Sequence, residues 1–248
     1  MKTIDLNADL GEGYDDAAVM PHISSASIAC GFHAGDVETM RRTVELCVRH
    51  GVAIGAHPSL PDRQGFGRRE IETSPDELYA QTLYQVGALA AFANAAGAKL
   101  HHVKPHGALY NMSARDRGLA DAIANAVRDF DPHLILVGLS GSASIAAARE
   151  AGLACAQEAF CDRRYRADGS LAPRSQPGSV LEDVDEAVAQ AVSIARRGEV
   201  VADDGSRVRI EADSLCVHGD RANAGEFASR LRSALEREGL RVAAPVRT

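Results

Sequence analysis

No uninterrupted apolar stretch of this sequence approaches the roughly 18–20 residues that a membrane-spanning helix needs. Its opening, MKTIDLNADLGEG, has no apolar core of signal-peptide length. The five cysteines (Cys30, Cys47, Cys155, Cys161 and Cys216) contain no CxxC pair and no Cys/His zinc-finger spacing, and an odd number describes no disulfide framework. These absences lead us to expect a cytoplasmic protein with reduced thiols. An excess of positive charge is lacking too. The net charge of −7 argues against nucleic-acid and anionic-membrane partners, which favour a basic face. It leaves room for a small anionic substrate in a locally positive pocket. The GxxxxGK[ST] phosphate loop, the GxGxxG dinucleotide fingerprint and the GxSxG serine-hydrolase elbow are all missing. No internal repeat, low-complexity tract or composition shift marks a boundary, so residues 1–248 read as one domain.

What is present is alternation. Apolar runs at 2–9, 25–32, 52–57, 100–106, 134–139, 153–160 and 214–218 read as strands. Helical stretches separate them. Residues 37–48 place Val37, Met40, Val44 and Cys47 at helical spacing. SPDEL at 74–78 is a capping box with Pro75 at the first helical position, and that helix runs to about Gly97. Ser113 reads as the cap of a further helix carrying Leu119, Ile123, Val127 and Phe130 on one side. Helices at 182–197 and 221–238 end at Gly198 and Gly239. Residues 199–212, with Asp204-Gly205 between two alternating runs, predict a β-hairpin excursion. Residues 163–179 read as a long loop. Strand–helix alternation implies a parallel sheet covered by helices. Seven strands in this length favour an irregular (β/α) TIM-like barrel over an open doubly wound sheet. In both, ligands bind at the carboxyl ends of the strands.

Polar residues concentrate at those ends. The first strand exits in Asn7, Asp9 and Glu12, the second in His33 and Asp36, the third in His57 and Asp62. The fourth exits in Lys104 and His106, the sixth in Glu158 and Asp162, the seventh in His218 and Asp220. Loops are polar anyway, but six exits of seven predict a convergent site. Asp36 and Asp220 each precede a helix and fit an N-cap as well as a site. His22, His50 and His133 read as surface residues. His101 and His102 are adjacent, so at most one points inward. Lys104 and His106, two apart, share a face, and a lysine ending a buried run calls for a charged partner or an anionic ligand.

Asp9 and Glu158 suit general acid–base work if burial tunes them, as do His57 and His33. Lys104 suits a carboxylate or phosphate. RQGFGRR at 63–69 reads either as a mobile anion-binding flap using Arg68 or as a solvated basic loop. GLSGSAS at 138–144 reads as a phosphate-binding turn or as a plain turn with a Ser140 cap. Cys161, beside Asp162 and Arg163, is either an activated thiolate or an incidental buried cysteine. A metal held by Asp9, His33 and His57 is chemically allowed, but no spacing compels it.

DLNADLGEG, IACGFHAGD, GAHPSLPDRQGFGRR, VKPHGALYN, EAFCDRRY and CVHGD, in that order over residues 5–220, resemble the signature blocks of the LamB/YcsF family. The resemblance implies a distorted barrel similar to that of carbohydrate deacetylases. It implies ATP-dependent opening of a cyclic amide, 5-oxo-L-proline, to L-glutamate, with ATP (as its Mg2+ complex) going to ADP and phosphate. It also implies two partners, subunits B and C of a 5-oxoprolinase. On that reading Asp9, Glu12, His57 and Glu158 are catalytic, with Asp9 or Glu158 the base. Asn7, His33, Lys104, His106, Arg68, His218 and Asp220 bind substrate, and no resident metal is assigned. The competing expectations are a metal-dependent deacetylase of sugars or small amides, a non-catalytic lactam-binding subunit, and an amidase using Cys161.

Overall fold

The computed structural model describes residues 2–174, 176–218 and 223–246. The strands are β1 (Thr3–Leu10), β2 (Ser25–Ala29), β3 (Ala53–His57), β4 (Leu100–Val103), β5 (Ile135–Leu139), β6 (Ala154–Phe160), β7 (Glu199–Val201), β8 (Arg207–Arg209), β9 (Ser214–His218) and β10 (Arg241–Val242). The helices are α1 (Asp16–Val19), α2 (Val37–His50), α3 (Pro75–Ala95), α4 (Gly107–Arg115), α5 (Arg117–Phe130), α6 (Ala143–Glu150), α7 (Val184–Arg197) and α8 (Ala224–Arg237). Strands β1 to β6 and β9 pair in parallel, and β9 returns to β1, with Asn7 opposite Cys216 and Asp9 opposite His218. The sheet is therefore a closed seven-stranded barrel rather than an open one. β7 and β8 form an antiparallel hairpin outside it. The two-residue β10, too short to leave a pattern in the sequence, pairs with the start of β1.

The helices begin and end where local chemistry tells them to. The Asp36 carboxylate accepts from the Thr39 amide at 2.8 Å, so at this position the cap reading holds. The Ser74 hydroxyl and the Glu77 carboxylate satisfy each other's backbone amides to open α3. Such caps contribute about 1 kcal/mol each. One boundary differs from expectation. Ser113 is buried inside α4, its hydroxyl donating to the Tyr110 carbonyl at 3.2 Å. The break comes at Asp116, whose extended backbone ends α4 and whose carboxylate accepts from the Leu119 amide to start α5. Before α6, the amides of Ser140 and Gly141 donate to the Glu158 carbonyl and the Gln157 side chain. The residue capping that helix is Ser142, not Ser140, and the amides of this turn are satisfied within the protein.

Side chains alternate along β1. Ile4, Leu6, Ala8 and Leu10 join one apolar core with Val44 of α2, Leu89 of α3, Ile123 of α5 and Phe227 of α8. Each fully buried aliphatic there stabilises by about 1.5–3 kcal/mol. The opposite face carries Asp5, Asn7 and Asp9, and the barrel interior meets them with polar groups. Ser24, Ser25 and Ser214 hydroxyls donate to Asp5 at 2.6–2.9 Å. Asn7 donates to Ser214 and Glu158. A polar ladder thus climbs β1 from the barrel's base to its carboxyl rim.

Candidate active site

At that rim lies a cavity of about 820 Å3. Lys104 forms its floor, only 2% exposed. The ammonium is 2.5 Å from Asp9 Oδ1 and 2.9 Å from Glu158 Oε1, and it donates to Asn7 Oδ1 at 2.7 Å. Burial alone disfavours both charged forms, but Asp9 and Glu158 keep the lysine well above its ordinary value. Burial likewise pushes Asp9 up, and the Lys104 ammonium foremost reverses it, holding the carboxyl well below the usual range. Asp9 and Lys104 are thus an ion pair at neutral pH, and Glu158 Oε1 lies against the same ammonium.

Beside it, His57 Nε2 lies 3.4 Å from Asp9 Oδ2. His57 Nδ1 donates to the Lys104 carbonyl at 2.6 Å, which fixes its ring against the fourth strand. His106 donates from Nε2 to the Phe66 carbonyl at 2.9 Å and turns Nδ1 toward Glu12 Oε1, 3.3 Å away. His33 contacts the same Glu12 oxygen at 2.9 Å. Burial first, and then the neighbouring imidazoles, lower His106 well below the ordinary histidine value, and burial lowers His33. These two rings are neutral.

Residues 62–69 arch over this cluster. Phe66 adopts φ 55°, uncommon for a bulky residue, and so delivers its carbonyl to His106. A Cβ on Gly67 would strike Ser59, His106 and His33, and one on Gly107 would lie 2.5 Å from the Gly67 carbonyl oxygen. Only glycines allow the loop to sit this close. Arg63 is bound to the Gly31 and Gly35 carbonyls and Arg69 to Asp62. Of the three arginines only Arg68 lines the cavity, above the Phe66 ring. The loop is thus tied to the site by these contacts, with Arg68 placed where an anion-binding arginine would stand.

The LamB/YcsF family profile matches residues 4–248. The chain belongs to the LamB/YcsF family. A relative from Bordetella pertussis (strain Tohama I), named as the A-subunit of 5-oxoprolinase, is 55% identical over 247 residues, 97% of this chain and 98% of its own. A lactam utilization protein from Thermus thermophilus superposes with a TM-score of 0.92 at 50% identity, covering 99% of this chain and 100% of that one. A polysaccharide deacetylase from Bacillus cereus reaches a TM-score of 0.52 at 15% identity, covering 99% of this chain and 93% of that one, which shows a shared barrel fold.

In this LamB/YcsF chain, Asp9, Glu12, His57, Arg68, Lys104, His106, Glu158 and His218 all face the one cavity. Asn7 lies beneath Lys104, and His33 behind Glu12. Asp220 is outside the described residues. Asp62 serves the loop, and Asp162 holds His218 Nδ1 at 3.0 Å from both carboxylate oxygens. His102 points into the barrel against Ser27. Cys161 is fully buried and donates to the Cys216 carbonyl at 2.9 Å, so it presents no thiolate to the cavity.

Several lining residues went unread in the sequence. Tyr110, on a short helix that periodicity did not reveal, turns its hydroxyl toward Glu158; burial and that carboxylate push it well above its ordinary value. The upper wall carries Arg115, Arg163, Arg166 and Arg174 beside Arg68, against Glu70 and Asp168. That wall is net positive although the protein is acidic. Arg163 is 6% exposed, lowered to about 10 by burial and the neighbouring Arg174, and still charged at neutral pH. Its Nη2 donates to the Ala172 carbonyl, whereas its Nε has no partner among the described residues. The run RRYR was the available sequence signal.

No helix among the described residues is long and apolar enough to cross a membrane.

Proposed function

We propose that this chain is the lactam-opening subunit of an ATP-dependent 5-oxoprolinase, converting 5-oxo-L-proline, ATP and water to L-glutamate, ADP and phosphate with subunits B and C in the cytoplasm. The observation that carries the reading is the pairing of a buried Asp9–Lys104–Glu158 floor with an arginine-rich wall in one cavity, on a chain whose relatives bear the name of the 5-oxoprolinase A-subunit.

The chemistry asks for both halves. A five-membered lactam is an unreactive amide, and phosphorylating its oxygen makes the carbon attackable. The substrate carboxylate and the transferred phosphate are both anions, and the arginines of the wall suit them as fixed donors. Arg163, buried with a free Nε–H, is our choice for the carboxylate. Asp9, which lines the cavity and is kept ionised by Lys104 as a hydrogen-bond acceptor, is our choice for the group that orients the attacking water. Lys104 keeps a local positive charge where negative charge gathers on the oxygen. The remaining arginines fit the polyphosphate of Mg2+-ATP, which supplies the phosphoryl group.

The test is glutamate release from 5-oxoproline and Mg2+-ATP, with this chain alone and with subunits B and C. Release that requires this chain, and is lost with Asp9→Asn, is expected. Full activity of the partners without it, or of the Asp9→Asn complex, would refute the assignment.

A further inference from the structure

Two imidazoles in the cavity wall have their tautomers set by the backbone. His57 Nδ1 is 2.6 Å from the Lys104 carbonyl, and His106 Nε2 is 2.9 Å from the Phe66 carbonyl. A carbonyl only accepts, so both of these nitrogens carry the hydrogen. In a neutral imidazole the other nitrogen is then a bare lone pair. Those lone pairs, on His57 Nε2 and His106 Nδ1, face each other at 3.0 Å. Glu12 Oε1 joins them, 3.3 Å from His106 Nδ1 and 3.9 Å from His57 Nε2. With both rings neutral, His57, His106 and Glu12 turn three lone pairs toward one point, and Asp9 Oδ2 stands at its edge, 3.4 Å from His57 Nε2.

His33 is close to the same point but cannot share in it. Its ring stacks flat on that of His106, the centroids 3.8 Å apart and the planes at 7°. An imidazole lone pair lies in the ring plane, so two parallel stacked rings cannot aim at one ion. His33 Nε2 instead meets Glu12 Oε1 at 2.9 Å and steadies that carboxylate.

We propose that Glu12, His57 and His106 form a binding site for a divalent transition-metal cation of the Zn2+ class, with His33 as a positioning residue and one coordination position open to the cavity. Tetrahedral bonds of about 2.0–2.2 Å place ligand atoms about 3.3–3.6 Å apart. The separations here, 3.0, 3.3 and 3.9 Å, bracket that spacing. The carbonyl behind each histidine is the outer-shell partner that metal-bound imidazoles take. Two nitrogens and one carboxylate favour Zn2+ and its neighbours over Mg2+, which prefers oxygen alone. The cation is therefore distinct from any Mg2+ that arrives with ATP. The site goes beyond the proposed function and does not rest on it.

The test uses the full chain, stripped with chelator and titrated calorimetrically with Zn2+ without 5-oxoproline or ATP. One ion per chain is expected, at a dissociation constant at least tenfold below that for Mg2+. Co2+ in its place should give the visible absorption of a four- or five-coordinate ion. His57→Gln and His106→Gln, with unchanged far-ultraviolet circular dichroism, should abolish both signals. His33→Leu should weaken Zn2+ binding by about 10–100-fold, and His33→Gln, which can still donate to Glu12, should restore most of it. Overturning results are a folded chain that takes up neither ion, in which case a proton separates the two rings, or Zn2+ binding that survives His57→Gln but is lost in His218→Gln. Either leaves the lactam assay as an independent question, because no turnover is read.

Discussion

Lys104→Met removes one charge and little volume from the cavity floor, and its consequences can be worked through. The ammonium touches Asp9 at 2.5 Å and Glu158 at 2.9 Å, all three side chains nearly inaccessible to water. Removing one member of a buried ionic set costs about 3–5 kcal/mol, mostly because the survivors stay buried and uncompensated. With a urea m-value of about 3 kcal/mol/M for a chain of this size, the midpoint should fall by about 1–2 M. The pH dependence provides a sharper check. In the wild type the folded value of Asp9 lies below its unfolded value, so the ion pair stabilises fully above about pH 4 and loses that only on further acidification. In the variant burial acts on Asp9 without the lysine to reverse it, and its folded value rises above the unfolded one. The folded variant then binds protons that the unfolded chain does not, so its deficit is largest near pH 8 and shrinks toward pH 5. Urea unfolding of both proteins at the two pH values, in chelator, measures this difference. A variant as stable as the wild type near pH 8, or a deficit that grows on acidification, would show the reasoning to be wrong.

Three further outcomes are expected. Asp5 titrates at about 6 in the folded protein, raised chiefly by burial from 3.8, so its protonation stabilises fully below about pH 4 and that benefit is lost as pH rises through about 6. Asp5→Asn should remove on the order of 3 kcal/mol from the fall in stability between pH 4 and 7, and parallel stability–pH curves would contradict it. Gly107→Ala forces a Cβ against the Gly67 carbonyl at φ 57° and should cost about 1–3 kcal/mol while opening residues 62–69 to trypsin at Arg68 and Arg69; an unchanged melting temperature would count against the pinned loop. Cys161→Ala should retain glutamate release in the reconstituted system, and a loss beyond about tenfold would return the thiol to consideration.

Much of this architecture was legible because its signals are local. The seven barrel strands, the capping box at Ser74 and the hairpin around Asp204-Gly205 each depend on neighbours in sequence. Closure into a barrel followed from strand number and length. Ser113 misled because a serine that caps and a serine buried within a helix look alike in sequence; only packing against Tyr110 distinguishes them. The strand-exit rule collected Asp9, Glu12, His57, Lys104, His106, Glu158 and His218 around one cavity. It did not separate Asp62 and Asp162, which hold other side chains in place, from residues facing the hollow. Tyr110 and Arg163 escaped it because one sits on a helix and the other in a loop that doubles back over the rim. Tautomers were beyond it altogether, since they depend on carbonyls at Lys104 and Phe66 that no spacing reveals.

Residues 62–69 are held across the histidines, and the cavity wall continues through α4 and the segment holding Arg163, Arg166 and Arg174. That segment is braced from outside where Asp203 of the hairpin turn donates its amide to the Tyr165 carbonyl. A push on the hairpin is therefore a push on the arginine wall.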